Sequence, residues 1–471
     1  MYQVNDLPHL EHSRRDKIGS NIPTPGITEY SPDTGSKTLI LGFAFIILVG
    51  TVLLSLPIAT ESGQAVDWRE ALFTATSAAT VTGLIVFGTV DTWSTFGEVV
   101  ILALIQVGGI GFVTLSVVLF QLIGRRVPLA ERRVLRQVLG VHASSGVVQL
   151  ALIVAAVTLG IELIGAVIMF FSWLGDMPPG QAAYYAIFHS ISSFCNAGFD
   201  LFRGVDDPLL LSTRRNPFLV FTMSALIVIG TMGITVIFDL ITFPKTKQVS
   251  LHTKLIVPLM AALTVIGFLL LLLDDAVLHN VLSEMPVWER WLMAFFTVVS
   301  SRTAGITLVP IQELGQASQL VITAWMFIGG APASMGGGIG LTTIAVVLIT
   351  LQNSTRGNPD IRFLSRALPI ETVVKAAAIM TVSSVLVFTM TMGMLLFDKQ
   401  SITAAFFEVV SAFSNTGYSL GITDDMNQIS RALIIFTMFW GRLGPLTLVV
   451  ALAQRGSHTQ IRYPEERIII G

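Results

Sequence analysis

The amino-acid sequence predicts an all-α polytopic membrane protein: four parallel span–pore-helix–span repeats around a pseudo-fourfold central pore, with eight transmembrane helices. Three observations carry that expectation. The 471 residues are 53% hydrophobic and 12% charged, with a mean hydropathy of +0.75, whereas a soluble domain carries about 25% charged residues. Long apolar segments alternate with short semi-apolar ones along the whole chain. A polar, glycine-centred stretch follows each of the short segments.

Taken in order, the segments at 38–58, 95–124, 147–175, 216–243, 253–274, 318–350, 376–397 and 429–453 reach the length of about 20 apolar residues that a spanning helix needs. Between the members of each successive pair lie 67–78, 181–193, 287–300 and 402–413. These are too short to cross a bilayer and long enough to enter it halfway as re-entrant helices. The chain thus divides into a tail 1–37, repeats 38–124, 147–243, 253–350 and 376–453, and a second tail 454–471.

The four glycine turns are Thr80-Val81-Thr82-Gly83, Cys195-Asn196-Ala197-Gly198, Arg302-Thr303-Ala304-Gly305 and Ser414-Asn415-Thr416-Gly417. Their glycines at 83, 198, 305 and 417 are separated by 115, 107 and 112 residues. Phe73, Phe188, Phe296 and Phe407 precede them by ten, ten, nine and ten. A helix cap or a close-packing glycine explains any one such turn, but neither has a reason to recur at constant spacing. Parallel repeats imply a pseudo-fourfold axis along the membrane normal.

Orientation follows from Lys and Arg. One side holds Arg14, Arg15, Lys17 and Lys37, the loop from Arg125 to Arg136, Lys245, Lys247, Lys254, Arg356, Arg362, Arg366, Lys375 and the C-terminal arginines. It carries more than twice the positive residues of the other side, so it is expected to be cytoplasmic, with both termini inside and all four turns entering from outside. Met1 to Ser36 contain no apolar run of the kind a signal peptide has. Cys195 is the single cysteine, which excludes an internal disulfide and a thiolate metal cluster. No basic run points to nucleic acid.

A cation stripped of its water must recover that energy from protein oxygens. Four converging backbones can supply rings of carbonyls, and glycine permits the φ > 0 geometry that turns them inward. Half-helices ending at the turns would add the negative ends of their dipoles. Thr80-Val81-Thr82-Gly83 is close to the start of the potassium-channel filter sequence Thr-Val-Gly-Tyr-Gly but keeps one glycine, so one dominant K+ site is expected near Gly83, Gly198, Gly305 and Gly417.

Two features lie beyond the turns. The sixth segment is interrupted by Gly329-Gly330-Ala331-Pro332-Ala333-Ser334-Met335-Gly336-Gly337-Gly338-Ile339-Gly340, which cannot continue a helix at about 1 kcal/mol per glycine and about 3 for proline. It reads either as a flexible gate across the conduction path or as a rigid kink for packing. Arg442 falls within the last segment, where an arginine costs at least ~2.5 kcal/mol and faces a cavity or a partner. Facing the path it would repel cations; the alternative is an ion pair with Asp239 or Glu408.

With these residues the chain resembles the membrane subunit of bacterial Ktr-type potassium transporters, in the superfamily that includes the Trk and plant HKT transporters. The likeness covers nearly all of 38–471: the four turns, the glycine-rich break, Gly441-Arg442-Leu443-Gly444-Pro445 and the final Tyr463-Pro464-Glu465-Glu466-Arg467. Eight segments without an additional leading pair favour the Ktr type. The resemblance implies K+ uptake across the bacterial cytoplasmic membrane, a gating role for 329–340 and a basic residue on the path at Arg442. It also implies Na+ stimulation, a homodimer, and a cytoplasmic nucleotide-binding ring subunit of the RCK type, since the loops leave no room for a sensing domain. The loop 125–136 and the tail 1–37 are expected docking surfaces for that subunit or for anionic lipid.

No His-Glu-x-x-His, Gly-x-Ser-x-Gly or phosphate-binding loop is present, so the chain is not read as an enzyme. A Na+- or H+-coupled alternating-access transporter is the competing reading, though it calls for inverted repeats and midplane acids. A receptor or scaffold without transport is the third. Of the remaining ionisable residues, Glu162 is expected to bond a neighbouring helix or subunit, His189 to be a packing histidine, and Arg302 to point away from the axis and brace its turn. Asp67, Glu70, Asp91, Asp206, Asp207, Asp424 and Asp425 are assigned to the outer rim.

Overall fold

A computed structural model describes residues 33–111, 147–204, 207–278, 281–357 and 360–444, with a few positions between 114 and 121. Most of both tails, the loop 125–136, Asp206, the end of the second segment and residues 445–453 of the last lie outside the described residues.

The fold is almost wholly helical, with one two-stranded hairpin at Arg362–Phe363 and Arg366–Ala367. The first quarter contributes α1 (Asp33–Leu54), α2 (Trp68–Ala79) and α3 (Thr95–Ile110). The second contributes α4 (Val147–Trp173), α5 (Pro179–Cys195), α6 (Pro217–Met232) and α7 (Ile234–Thr246). Next come α8 (Leu251–Leu278), α9 (Val287–Ser300), α10 (Gln316–Ile328) and α11 (Leu341–Thr355), then α12 (Ile370–Phe397), α13 (Ile402–Ser414) and α14 (Gln428–Leu443). Among the described residues, three helices are long and apolar enough to cross a membrane by themselves: α4, α8 and α12, with mean hydropathies of 2.5, 2.8 and 1.9. Several others are shorter apolar helices.

The shortness has a local cause. The segments 95–124 and 216–243 are each interrupted by a glycine, and 429–453 reaches one at the edge of the described residues. Gly111 (φ 84°, ψ 128°) follows α3, Gly233 (φ 81°, ψ 150°) separates α6 from α7, and Gly444 (φ 81°, ψ 136°) follows α14. Three residues before each stands another glycine pressed against backbone. A Cβ on Gly108, Gly230 or Gly441 would overlap the carbonyl of Ala79, Phe194 or Phe413. Each of those carbonyls belongs to the residue four places before a turn glycine. The break at 329–340 is thus a longer interruption of the glycine-marked kind that follows α3, α6 and α14.

The core is built around the short helices. α2, α5, α9 and α13 bury most of their length, and Phe73, Phe188, Phe296 and Phe407 are no more than 1% exposed. Their starts are fixed locally: the Asp67 carboxylate accepts from the Arg69 N–H, Ser401 Oγ accepts from the Ala404 N–H, and Pro178 and Pro286 precede the other two. The opposite ring faces outward, with Phe45, Leu163, Phe171, Leu273 and Phe388 all more than half exposed, as lipid-facing helices require.

Candidate functional site

Each short helix ends in the same backbone motif. The Thr82, Ala197 and Thr416 N–H groups donate to the Ser77, Ser192 and Ser411 carbonyls at 2.8, 2.8 and 2.9 Å, the six-to-one bond of a Schellman cap. In the third turn the corresponding bond runs from the Gly305 N–H to the Ser300 carbonyl at 3.0 Å. That turn is one residue shorter, which explains why Phe296 precedes its glycine by nine residues rather than ten: each phenylalanine stands four residues before its serine.

Two residues of every turn are left-handed. Val81, Asn196, Thr303 and Asn415 have φ of 58°, 58°, 77° and 52°, and Gly83, Gly198, Gly305 and Gly417 have φ of 86°, 73°, 65° and 96°. Asparagine tolerates that region; β-branched Val81 and Thr303 are strained there, by of order 1–3 kcal/mol each. The same left-handed pair in all four turns, kept even where it strains Val81 and Thr303, marks a backbone shape held for its own sake.

The turns meet. A Cβ on Gly83 would lie 2.5 Å from the Ala197 carbonyl oxygen, and one on Gly198 would lie 3.0 Å from that of Ala304. On Gly305 it would overlap the Thr416 carbonyl, and on Gly417 the Thr82 carbonyl. First touches second, second touches third, third touches fourth, and fourth touches first. The contact order closes a ring, with the carbonyl before each glycine seated against the neighbouring turn. Side chains tie the same junctions: Asn415 Nδ2 donates to Thr82 Oγ1 at 2.9 Å, and Asn196 Nδ2 to Thr303 Oγ1 at 3.4 Å.

Further polar links cross each junction. Tyr184 Oη donates to Glu98 Oε2 at 2.6 Å, and the buried Arg214 pairs with Glu289 at 3.3 Å. Tyr418 Oη donates to the Thr297 carbonyl at 3.4 Å, and Arg431 pairs with Glu70 at 3.6 Å. Asp67, Glu70 and Asp207 of the expected acidic rim thus serve as caps or partners.

On the side where the inner helices break, the loop 329–340 lies directly against the ring. Gly336 abuts the Thr303 side chain, and Gly337 abuts Asn415 and the Ser414 carbonyl. The loop also completes the broken second quarter. Ala331 and Met335 N–H groups donate to the Thr231 and Gly230 carbonyls at 3.0 and 3.1 Å, and the Ile234 N–H donates to the Ala333 carbonyl at 3.2 Å. Irregular backbone is thereby satisfied by irregular backbone. A cavity of about 520 Å³ opens here, lined by Gly108, Gly230, Met335, Gly441 and Arg442 among others.

Arg442 pairs with neither Asp239 nor Glu408. Its guanidinium donates to the Met335 carbonyl of the loop and to the Gly108 and Gly109 carbonyls at the end of α3. A cation at the C-terminal end of a helix satisfies freed carbonyls and the negative end of the dipole together. Asp239 instead accepts from Ser250 and Thr253 at the start of α8, and Glu408 accepts from Thr423.

His189 is fully buried: its Nδ1 bonds the Tyr185 carbonyl at 2.8 Å, and the Leu201 N–H donates to Nε2 at 3.3 Å, a packing histidine as expected. Arg302 turns back toward α8, where Nη1 reaches the Met260 carbonyl at 3.5 Å. The sequence reading named Gly441 and Gly444 only as part of the family resemblance and missed Gly108/Gly111 and Gly230/Gly233, although all three pairs share a spacing of three.

Comparison with known proteins agrees with this architecture. The chain is 33% identical over 440 residues to Ktr system potassium uptake protein B of Vibrio alginolyticus, covering 92% of this chain and 94% of that one. It is 32% identical over 438 residues to Potassium/sodium uptake protein NtpJ of Enterococcus hirae, covering 91% and 96%. The crystal structure of the potassium transporter TrkH from Vibrio parahaemolyticus superposes with a TM-score of 0.70 at 20% identity, over 91% of this chain and 86% of that one, a likeness of fold. The family model described as TrkH, Cation transport protein, matches residues 28–460, and the chain belongs to that family.

Proposed function

We propose that this chain carries K+ into the cell across the cytoplasmic membrane through the ring of four turns. The observation that carries the reading is the closed contact order of Gly83, Gly198, Gly305 and Gly417, with one carbonyl at each junction and the same left-handed backbone in every turn. In this reading the four quarters are span–pore-helix–span repeats totalling eight membrane crossings. α2, α5, α9 and α13 point their C-terminal ends at the ring, adding negative potential where a dehydrated cation would rest. Thr80 to Gly83, Cys195 to Gly198, Thr303 to Gly305 and Asn415 to Gly417 form the filter.

The loop 329–340 and Arg442 act together as the gate. The guanidinium holds Met335 against the end of α3, closing the path beneath the ring and placing a positive charge on it. Opening requires those carbonyl bonds to be exchanged for others. Because the loop also plugs the gap between α6 and α7, its displacement would free backbone groups there, which makes opening costly without a driving partner.

The relatives named for Ktr potassium uptake, and the one named for potassium and sodium uptake, support K+ as cargo with Na+ as a second cation. Regulation by an RCK-type nucleotide-binding ring subunit, assembly as a homodimer, and both termini inside belong to the same proposal.

The test is K+ uptake by cells that depend on this protein, comparing wild type with Gly→Ser at 83, 198, 305 and 417. Weakened apparent K+ affinity or admission of Na+ at several of the four is expected. Four variants with wild-type affinity and selectivity would remove the filter. Flux that requires the gradient of a second ion would favour a coupled carrier over a gated pore.

A further inference from the structure

We infer that Glu162, acting with Gln106, is a positioning residue that sets the cation selectivity of the second turn; the inference rests on reading the four turns as a filter. The turns are held in two different ways. In the first, Thr80 Oγ1 and Thr82 Oγ1 hydrogen-bond at 2.7 Å, and in the fourth, Ser414 Oγ and Thr416 Oγ1 do so at 2.6 Å. The second turn has Ala197 where those turns have threonine, so its opening residue has no hydroxyl to pair with. Cys195 turns outward instead.

What Cys195 meets is a carboxyl in the interior of a spanning helix. Its Sγ donates to Glu162 Oε1 at 3.6 Å and lies 3.9 Å from Gln106 Oε1, while Gln106 Nε2 donates to Glu162 Oε2 at 2.9 Å. Ser190 Oγ on α5 donates to the Glu162 backbone carbonyl at 2.6 Å, fixing the helix on which the carboxyl is carried. Glu162 is the only ionisable side chain of α4 and is 4% exposed. Helix contacts at this depth are ordinarily made by apolar or small residues, because a carboxyl is costly there. A buried carboxyl whose two oxygens are both engaged with one filter residue and that residue's neighbour is placed to fix the position of the turn.

The arrangement also requires close approach. A Cβ on Gly109 would lie 2.5 Å from Cys195 Sγ, so α3 reaches the thiol only because that position is glycine. α3 thus presents Gln106 to the brace, and its Gly108 and Gly109 carbonyls hold Arg442. One helix touches both the filter's support and the gate's latch.

The experiment uses the full-length protein in proteoliposomes, reading the apparent affinities for K+ and Na+ separately from maximal flux. Glu162→Ala is expected to lower K+/Na+ discrimination about tenfold, the weight of one buried hydrogen-bonded support. Glu162→Gln, which keeps the planar shape and an accepting oxygen, should retain most of it. Gln106→Leu, which removes the donor and leaves the carboxyl, should also lower discrimination and serves if Glu162→Ala does not fold. A purely structural role would reduce membrane protein and maximal flux in proportion while leaving the ratio unchanged, and that result overturns the inference. A wild type with no preference for K+ would overturn the filter reading itself, and this inference with it.

Discussion

The first and fourth turns close on themselves, whereas the second and third lean on the surrounding helices. Thr80 with Thr82, and Ser414 with Thr416, form hydroxyl pairs inside their own turns. Cys195 leans on Glu162 of α4 and Gln106 of α3, and Arg302 leans on the Met260 carbonyl of α8. All four nevertheless adopt the same pair of left-handed residues. One backbone shape thus has two kinds of support. A turn with its own hydroxyl pair is held partly from within, although the Asn415 amide also ties the fourth turn to Thr82 and to the Met438 carbonyl of α14, while a turn without such a pair follows the helices that brace it. One of the two supports of the second turn, Gln106, comes from α3, whose Gly108 and Gly109 carbonyls also bind Arg442.

The largest effect is expected where the comparison does not distinguish the turns, at the ring glycines. Gly305→Ser and Gly417→Ser place a side chain onto a neighbouring carbonyl at φ of 65° and 96°, and K+ uptake should fall by roughly two orders of magnitude. Gly198→Ala meets a carbonyl at the more open 3.0 Å and should fall by about tenfold. Equal losses at all three would mean that the ring tightness seen at these junctions does not govern conduction.

Next in size is the latch. Arg442→Ala removes three carbonyl bonds that join the loop to the end of α3, so K+ flux should rise about tenfold and respond less to regulation. Deleting part of 330–338 should act in the same direction. Unchanged uptake rate and apparent affinity in Arg442→Ala would refute both the latch and the barrier.

Within the self-bonded turns, Thr82→Val deletes the partner of Thr80 and the acceptor for Asn415 Nδ2. A buried donor left unmet costs about 1–3 kcal/mol, so both thermal stability and K+ affinity should drop. The reading is a melting curve in detergent alongside uptake kinetics. The smallest effect is expected at Arg302. Among the described residues, the only side-chain bond of Arg302 is the 3.5 Å contact to Met260, and Nε and Nη2 are buried with no hydrogen-bond partner there. Replacing a poorly paired buried charge by an apolar residue of similar length is often neutral or stabilising. Arg302→Met should therefore change stability by less than about 1 kcal/mol and shift selectivity less than Glu162→Ala does. A collapse of selectivity in Arg302→Met would show that a long guanidinium contact braces as strongly as the thiol–carboxyl pair.

The turns were legible in the sequence because their cause is local. A glycine at the end of an apolar half-segment, preceded by a residue that must also turn left-handed, leaves its mark within a few positions, and four such marks at near-even spacing need no tertiary knowledge. The packing of His189 was also readable, since an imidazole next to a buried turn has few places to go. The breaks in the inner helices were harder to see. Gly108/Gly111 and its counterparts sit in strongly apolar segments, and apolarity alone favours an uninterrupted span. What distinguishes these glycines is the carbonyl pressed against each of them, and that carbonyl belongs to another helix.

The sequence by itself determined the membrane character, the positions of the four turns and the unfitness of 329–340 for a helix, because composition, glycine φ preference and helix propensity act over neighbouring residues. Only the tertiary structure decided that the turns touch in cyclic order, that Arg442 binds backbone carbonyls rather than an acid, and that Glu162 reaches Cys195. Those partners lie far apart along the chain: Asn415 meets Thr82 across 333 residues, and Arg442 meets Gly108 across 334. Contacts at such separations are chosen by packing and by the need of each desolvated polar group for a partner, and no local pattern records them.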